Sequence, residues 1–258
     1  MILPKRALFA AVLMFAAIAA LTQPGRAESR NRETYENTDY IICEAKADGL
    51  HLFWKNADGE PYRNFSKLAD AAASRGKTLL FALNAGMYQP DFAPMGLYVE
   101  DGRELRPASK ATPPRGSGPV PNFYKKPNGI FYVGDKGAGI LPTDRFMKQG
   151  MKPRLATQSG PMLVIGNRIN PIFILGSTDR TRRGGVGVCD GGAIRFAVCE
   201  DAVNFHDFAK LFRDHLECPN ALFLDGGGGA GIYVPALERN DISGMEVMAR
   251  CSDLWSNR

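Results

Sequence analysis

The chain has 258 residues, 45% of them hydrophobic and 23% charged. That balance excludes a disordered chain and leaves room for one sizeable core. Its formal charge of +5 falls to +2 once Lys5, Arg6 and Arg26 of the first 27 residues are set aside, too little to mark a nucleic-acid surface.

Residues 1–27 read as a secretory signal: Lys5 and Arg6 precede an apolar run over residues 7–21, and small residues end at Ala27. The run is shorter than the roughly 20 residues a membrane span needs, so no stable membrane anchor is expected and the mature chain should be periplasmic or secreted. Export permits disulfides among Cys43, Cys189, Cys199, Cys218 and Cys251, with one thiol left over. Their spacing matches no zinc motif and does not choose a pairing. A two-residue turn at Gly191 and Gly192 would set Cys189 opposite Ile194, which disfavours a bridge to Cys199.

Residues 28–39 are polar and read as a flexible arm, and residues 40–258 as one domain. Residues 40–43 and 50–54 form strand-like runs joined through Asp48 and Gly49. Phe65, Leu68, Ala69 and Ala72 fall on one helical stripe, with Asn64 as N-cap and Gly76 as the stop. Residues 78–83 form a buried-strand run that ends at Asn84, before Ala85 and Gly86. Between residues 106 and 127 lie six prolines, which predict a long irregular loop of the kind that binds or covers ligands. It ends in a turn at Asn128 and Gly129, followed by a hairpin with strands around residues 130–133 and 140.

Residues 161–165 predict another strand, and Gln158 and Ser159 interrupt the apolar pattern just before it. Ser159 lacks the GxSxG elbow of a hydrolase nucleophile, so a hydrogen bond to backbone or ligand is its expected role. Arg180, Arg182 and Arg183 precede a glycine-rich strand; such a run forms a solvated loop or grips phosphate through guanidinium forks. Asn204 caps a helix with Phe205, Phe208, Ala209, Phe212 and Leu216 on its core stripe and Asp207 at the capping-box position. His206 and His215 fall off that stripe, and His51 stands alone in a strand.

The most informative stretch is residues 221–231, ALFLDGGGGAG. A buried strand ends on Asp225 and four glycines, where bare backbone N–H groups can face an anion or a sugar oxygen. The GxGxxG spacing inside it is not a dinucleotide fingerprint, because a strand ending at Pro235 follows where a helix would be required.

Five motifs in order, NAGM (84–87), KPNGIF (126–131), TQSGPMLV (157–164), RGGVG (183–187) and LDGGG (224–228), resemble the phosphodiester glycosidase family. The resemblance implies an exported hydrolase that cuts the bond between a sugar's anomeric carbon and a phosphodiester, acts on a phosphorylated glycan and needs no cofactor. It further implies that Asn84, Gly86, Ser159, Gly160, Arg183, Asp225, Gly226, Gly227 and Gly228 lie together. A lysosomal member of the family continues LDGGG with a serine, where this chain has Gly229.

In that reading Asp225 stabilises or attacks the anomeric carbon. Arg183, helped by Arg180, Arg182 or Lys126, holds the phosphate, while Asn84, Asn128, Gln158 and the glycine N–H groups bind sugar hydroxyls. The competing reading is a non-catalytic envelope protein that binds carbohydrate or phosphoglycan. A metal site at Asp225 lacks a second carboxylate at ligand spacing. The expected fold is a single α+β domain of mixed, mostly β sheets with a few flanking helices, Asn84 and Asp225 facing one cleft from two strand ends.

Overall fold

The structure, a computed structural model, describes residues 28–113, 116, 118–241 and 247–251. The expected signal segment lies outside the described residues. Among the described residues no helix is long and apolar enough to cross a membrane.

The α+β class holds: one mostly β domain with three flanking α-helices. A seven-stranded sheet runs in the order Arg30–Tyr35, Thr38–Ala45, Ile194–Cys199, Arg183–Val188, Asn220–Gly226, Met162–Ile165, Arg168–Ile169. One five-stranded sheet runs Arg239–Asn240, Ile232–Val234, Leu79–Asn84, Val247–Cys251, Leu50–Phe53. The other runs Arg103–Arg106, Tyr98–Glu100, Leu155–Ser159, Gly129–Gly134, Gly137–Pro142. The expectation of mixed sheets is corrected, since every pairing among the described residues is antiparallel. Parallel neighbours need a long crossover. Here hairpins such as the one closing Gly134 against Gly137 supply part of the pairing, and the rest brings antiparallel strands together from distant parts of the chain.

All three sheets feed one core. Leu222 and Leu224, Phe81 and Leu83, and Phe131 and Leu155 meet there, one pair from each sheet. A helix covers each sheet's outer face. Phe65–Ala73, capped by Asn64 accepting from the Lys67 N–H at 2.9 Å, packs Phe65, Leu68 and Ala72 against the Leu79–Asn84 sheet. Thr143–Lys148 presents Phe146 to Ile130 and Ala156. Phe205–Lys210 and its π-helical continuation Leu211–His215 lay Phe208 and Phe212 on Ala221 and Phe223.

That last contact accounts for two of the three glycines of RGGVG, Gly185 and Gly187. A Cβ at Gly187 would sit 2.6 Å from Cys218 Sγ and 2.8 Å from the Phe212 ring, and one at Gly185 would sit 3.1 Å from both Phe208 and Phe212. These glycines bare the backbone to a helix, not to a phosphate.

Two further expectations are corrected. The arm of residues 28–39 contains the edge strand Arg30–Tyr35, which pairs residue for residue with Thr38–Ala45. Its turn places Glu36 and Asn37 at positive φ, as a two-residue hairpin requires. The strand is polar because it is a partly exposed edge, so no apolar alternation marks it. The cysteines form one disulfide among the described residues, Cys189–Cys218, which ties the helix end to the strand beneath; Cys43, Cys199 and Cys251 are buried thiols.

Candidate active site

The GGGGAG stretch is a corner between sheets. Asn220–Gly226 belongs to the seven-stranded sheet, and Ile232–Val234, just past the turn Gly227–Gly229, pairs with Leu79–Asn84 in a five-stranded sheet. The chain thereby carries Asp225 across to the strand end that bears Asn84.

A bulge aims the carboxylate. Gly184 pairs with Asp225 but Gly185 pairs with Phe223, so Leu224 is the extra residue. Phe223 lies on the helix side and Leu224 in the central core. Gly226, whose Cβ would meet the Phe223 ring at 3.0 Å, is back on the helix side. The interrupted alternation turns Asp225 toward Asn84, which is what bulges beside sites commonly do.

Asp225 Oδ1 accepts the Gly226 N–H at 2.7 Å. Asn84 Nδ2 lies 3.5 Å from Asp225 Oδ2 and also donates to the Gly229 carbonyl. Asn84 Oδ1 is buried without a hydrogen-bond partner among the described residues. Burial pushes the Asp225 carboxyl up to about 6, against the opposing pull of the Gly226 N–H and the Asn84 amide. Tyr88 completes the electrostatic neighbourhood: burial, then the nearby Asp225 charge, raises its phenol. Sequence reading missed Tyr88, although it directly follows NAGM.

The strand Leu155–Ser159 fastens both halves. Thr157 and Ser159, two apart and hence on one face, donate to the Ala85 carbonyl at 3.3 Å and the Leu224 carbonyl at 2.7 Å. One strand therefore holds the residue after Asn84 and the residue before Asp225. Ser159 is fully buried and committed to this bond. Ser159→Ala should cost about 1 kcal/mol of stability, and loosening Asp225 should lower kcat about tenfold at nearly constant KM. Steady-state kinetics alongside a melting curve checks both; a change in KM alone would place Ser159 against substrate.

The opposite face of that strand serves the long loop. Gln158 Oε1 accepts from Leu97 N–H at 3.0 Å and Ser109 N–H at 2.8 Å, while Nε2 donates to the Ser109 carbonyl at 2.7 Å and Thr143 Oγ1 at 3.2 Å. Its amide is spent on the scaffold, so the expectation that Gln158 binds sugar hydroxyls is corrected.

Arg183 is also displaced from its expected place. It pairs with Gly226 and therefore shares the helix face, opposite to Asp225. Its guanidinium stacks 3.6 Å over the Phe205 ring and donates to the carbonyls of Val203 at 2.8 Å and Asp179 at 3.1 Å. Arg180 is bound to Asp207 at 3.4 Å, and Arg182 to Asp241 at 3.0 Å. The three arginines are engaged by carboxylates or carbonyls around them, and the expectation that Arg183 holds a phosphate beside Asp225 is corrected. Register and bulge decide this, and neither is local in sequence.

Gly86, Gly227 and Gly228 flank the corner. Gly86 is buried beside Asn84. Gly227 takes φ +60° and donates to the Arg182 carbonyl, and Gly228 is exposed with open space above it. Gly160 packs on Asn128, where a Cβ would come within 2.6 Å of the Asn128 Cβ, and Asn128 Nδ2 donates to the Phe123 carbonyl at 3.1 Å. The two loops interlock through Met162 N–H to the Pro127 carbonyl, 2.9 Å, and Phe223 N–H to the Pro161 carbonyl, 3.2 Å. Lys126 and Asn128 line a cavity of about 560 Å³ with Lys110, Thr143 and Asp144. Among the described residues no group of three or more His, Cys, Asp or Glu side chains is placed to hold a metal ion.

The sequence-family model for phosphodiester glycosidase matches residues 77–253. The chain is 33% identical over 181 residues to the uncharacterized protein YigE of Escherichia coli (strain K12), covering 70% of this chain and 68% of that one. Its fold is similar to the catalytic domain of zebrafish N-acetylglucosamine-1-phosphodiester alpha-N-acetylglucosaminidase, auto-inhibited by its pro-peptide. That match has a TM-score of 0.58 at 16% identity and covers 87% of this chain and 82% of the zebrafish chain.

Proposed function

The chain belongs to the phosphodiester glycosidase family, and from that premise we propose that it hydrolyses the bond between a sugar's anomeric carbon and a phosphodiester oxygen. The observation that carries this reading is the buried Asp225 carboxyl at the corner between two sheets, steadied by Asn84 and the Gly226 N–H. The structurally similar zebrafish protein is named for such an activity.

The chemistry needs little more than the site offers. Positive charge develops at the anomeric carbon as its bond to the phosphodiester oxygen breaks, and the Asp225 carboxylate stabilises or captures it. The departing phosphate monoester is a weak base, so one carboxylate serves where ordinary glycosidases need two. Water then adds to the anomeric carbon, giving a free sugar and a phosphate monoester. Asn84 Oδ1, buried and unpartnered among the described residues, supplies an acceptor for a sugar hydroxyl. Lys126 beside its cavity is the cation left for the phosphate, since the three arginines are engaged elsewhere. We further propose that residues 1–27 direct export and are removed near Ala27, which N-terminal sequencing of the periplasmic or secreted protein checks.

The test is turnover of a panel of sugar-1-phosphodiesters differing in sugar and anomer, followed across pH. Asp225 must be ionised to act, and its carboxyl stands near 6. kcat/KM should therefore rise with pH through about 6 and level off above it. A flat profile between pH 4 and 8, or no turnover of any member, would contradict the assignment.

A further inference from the structure

On the helix side of the seven-stranded sheet, away from Asp225, lies a second cavity of about 480 Å³. Its floor is aromatic: Phe173 stacks on Phe205 at 4.9 Å with the rings 6° apart. Its rim is cationic. Lys125 Nζ sits 5.3 Å over the Phe205 ring, and Lys126 is exposed. Burial lowers the Lys125 pKa, the mark of an ammonium in apolar surroundings. Asp179 lines the cavity too, so its walls carry two ammonium groups against one carboxylate.

Beside this cavity the chain holds aliphatic side chains out into solvent. Ile174 is 73% exposed, Leu175 74% and Ile172 44%. The loop that bears them is tied down: Asn170 Oδ1 accepts from Ile172 N–H at 3.2 Å, Ser177 N–H donates to the Ile174 carbonyl at 3.2 Å, and Asn204 Nδ2 donates to the Ser177 carbonyl at 3.1 Å. A fixed apolar ridge next to an aromatic cavity with cations at its edge complements a molecule that has an aliphatic tail and an acidic head.

We propose that this cavity binds an anionic amphiphile, with the head at Lys125 and the tail along Ile172, Ile174 and Leu175. Lys126 lies between this cavity and the one assigned to the substrate phosphate, but the proposal needs only Lys125 and the ridge and stands whether or not the glycosidase reading does. The probe is dodecyl phosphate, titrated calorimetrically into the intact protein below the micelle concentration, beside inorganic phosphate and dodecyl maltoside. One-to-one binding of dodecyl phosphate at least about tenfold tighter than either control is expected, because only it satisfies both rim and ridge. The variant Ile174→Ser/Leu175→Ser changes exposed positions and should fold with an unchanged melting temperature while weakening that binding about tenfold. Equal affinity for inorganic phosphate would reduce the site to an anion pocket and overturn the proposal. So would binding that the double variant leaves intact, or a concentration-dependent dimer that the variant dissociates without any amphiphile bound, since the ridge would then cover a second copy of the chain.

Discussion

Asp225→Asn should abolish turnover by about a thousandfold or more while making the folded protein more stable at neutral pH. Both effects come from one carboxyl. Burial lifts it from 3.8 to about 6. A carboxyl whose folded pKa lies above its unfolded value binds its proton more tightly when folded, so stability is greatest below the unfolded pKa and falls as pH rises toward the folded one. The window here runs from about pH 4 to about pH 6. Above it the ionised side chain costs the fold up to about 3 kcal/mol. Asparagine removes that cost but turns an amide toward the Asn84 amide, so a net gain of about 1–2 kcal/mol is expected. Denaturant unfolding at pH 4 and pH 8 checks the sign: the variant should be less stable than the parent by about 1–2 kcal/mol at the lower pH, where only the amide contact differs, and more stable at the higher. A variant less stable at pH 8 as well, by the same amount, would mean that the carboxylate is held by favourable contacts and not stored at a cost.

Gly229→Ser should also damage activity, for a steric reason. A Cβ at Gly229 would lie 2.0 Å from Asp225 Oδ2 and 2.5 Å from its Cγ. No side chain fits while the carboxylate stays where it is, and the Gly229 carbonyl is held by Asn84. Serine must displace either the carboxylate or the turn, at a cost of about 1–3 kcal/mol. Turnover should fall at least about a hundredfold, because displacement of a reacting group by about an ångström has that effect. Putting a serine at this position should therefore harm the chain. A Gly229→Ser enzyme with unchanged kcat would show that the corner readjusts freely. Gly229→Ala separates bulk from the hydroxyl: equal losses in both variants identify the Cβ as the cause.

How much of the site can be read from the sequence follows from which interactions are local. Asn84 and Asp225 stand out because each ends a short apolar run just before glycine, and a strand end is a local property. The helix caps Asn64 and Asn204 are likewise visible, since the side chain reaches a backbone N–H three residues on. Arg183 is misplaced in such a reading because its face depends on pairing with Gly226, distant in the chain, across a bulge. Gln158 and Ser159 look alike as polar residues at a strand entry. Which of them faces the site is settled by the sheet around Leu155–Ser159, and Thr157 carries no polar signal strong enough to be noticed. The edge strand Arg30–Tyr35 is hidden because its exposed face removes the alternation that marks buried strands. The disulfide pairing of Cys189 with Cys218 depends on helix placement over the sheet, which no spacing rule supplies.

The central claim is that the carbon–oxygen bond at the anomeric centre breaks, not the phosphorus–oxygen bond. Turnover of a sugar-1-phosphodiester in water enriched in oxygen-18, with mass analysis of both products, tests it most directly. Attack at the anomeric carbon places the heavy oxygen in the sugar and none in the phosphate monoester. Heavy oxygen in the phosphate would make the protein a phosphodiesterase and remove Asp225 from the role assigned to it.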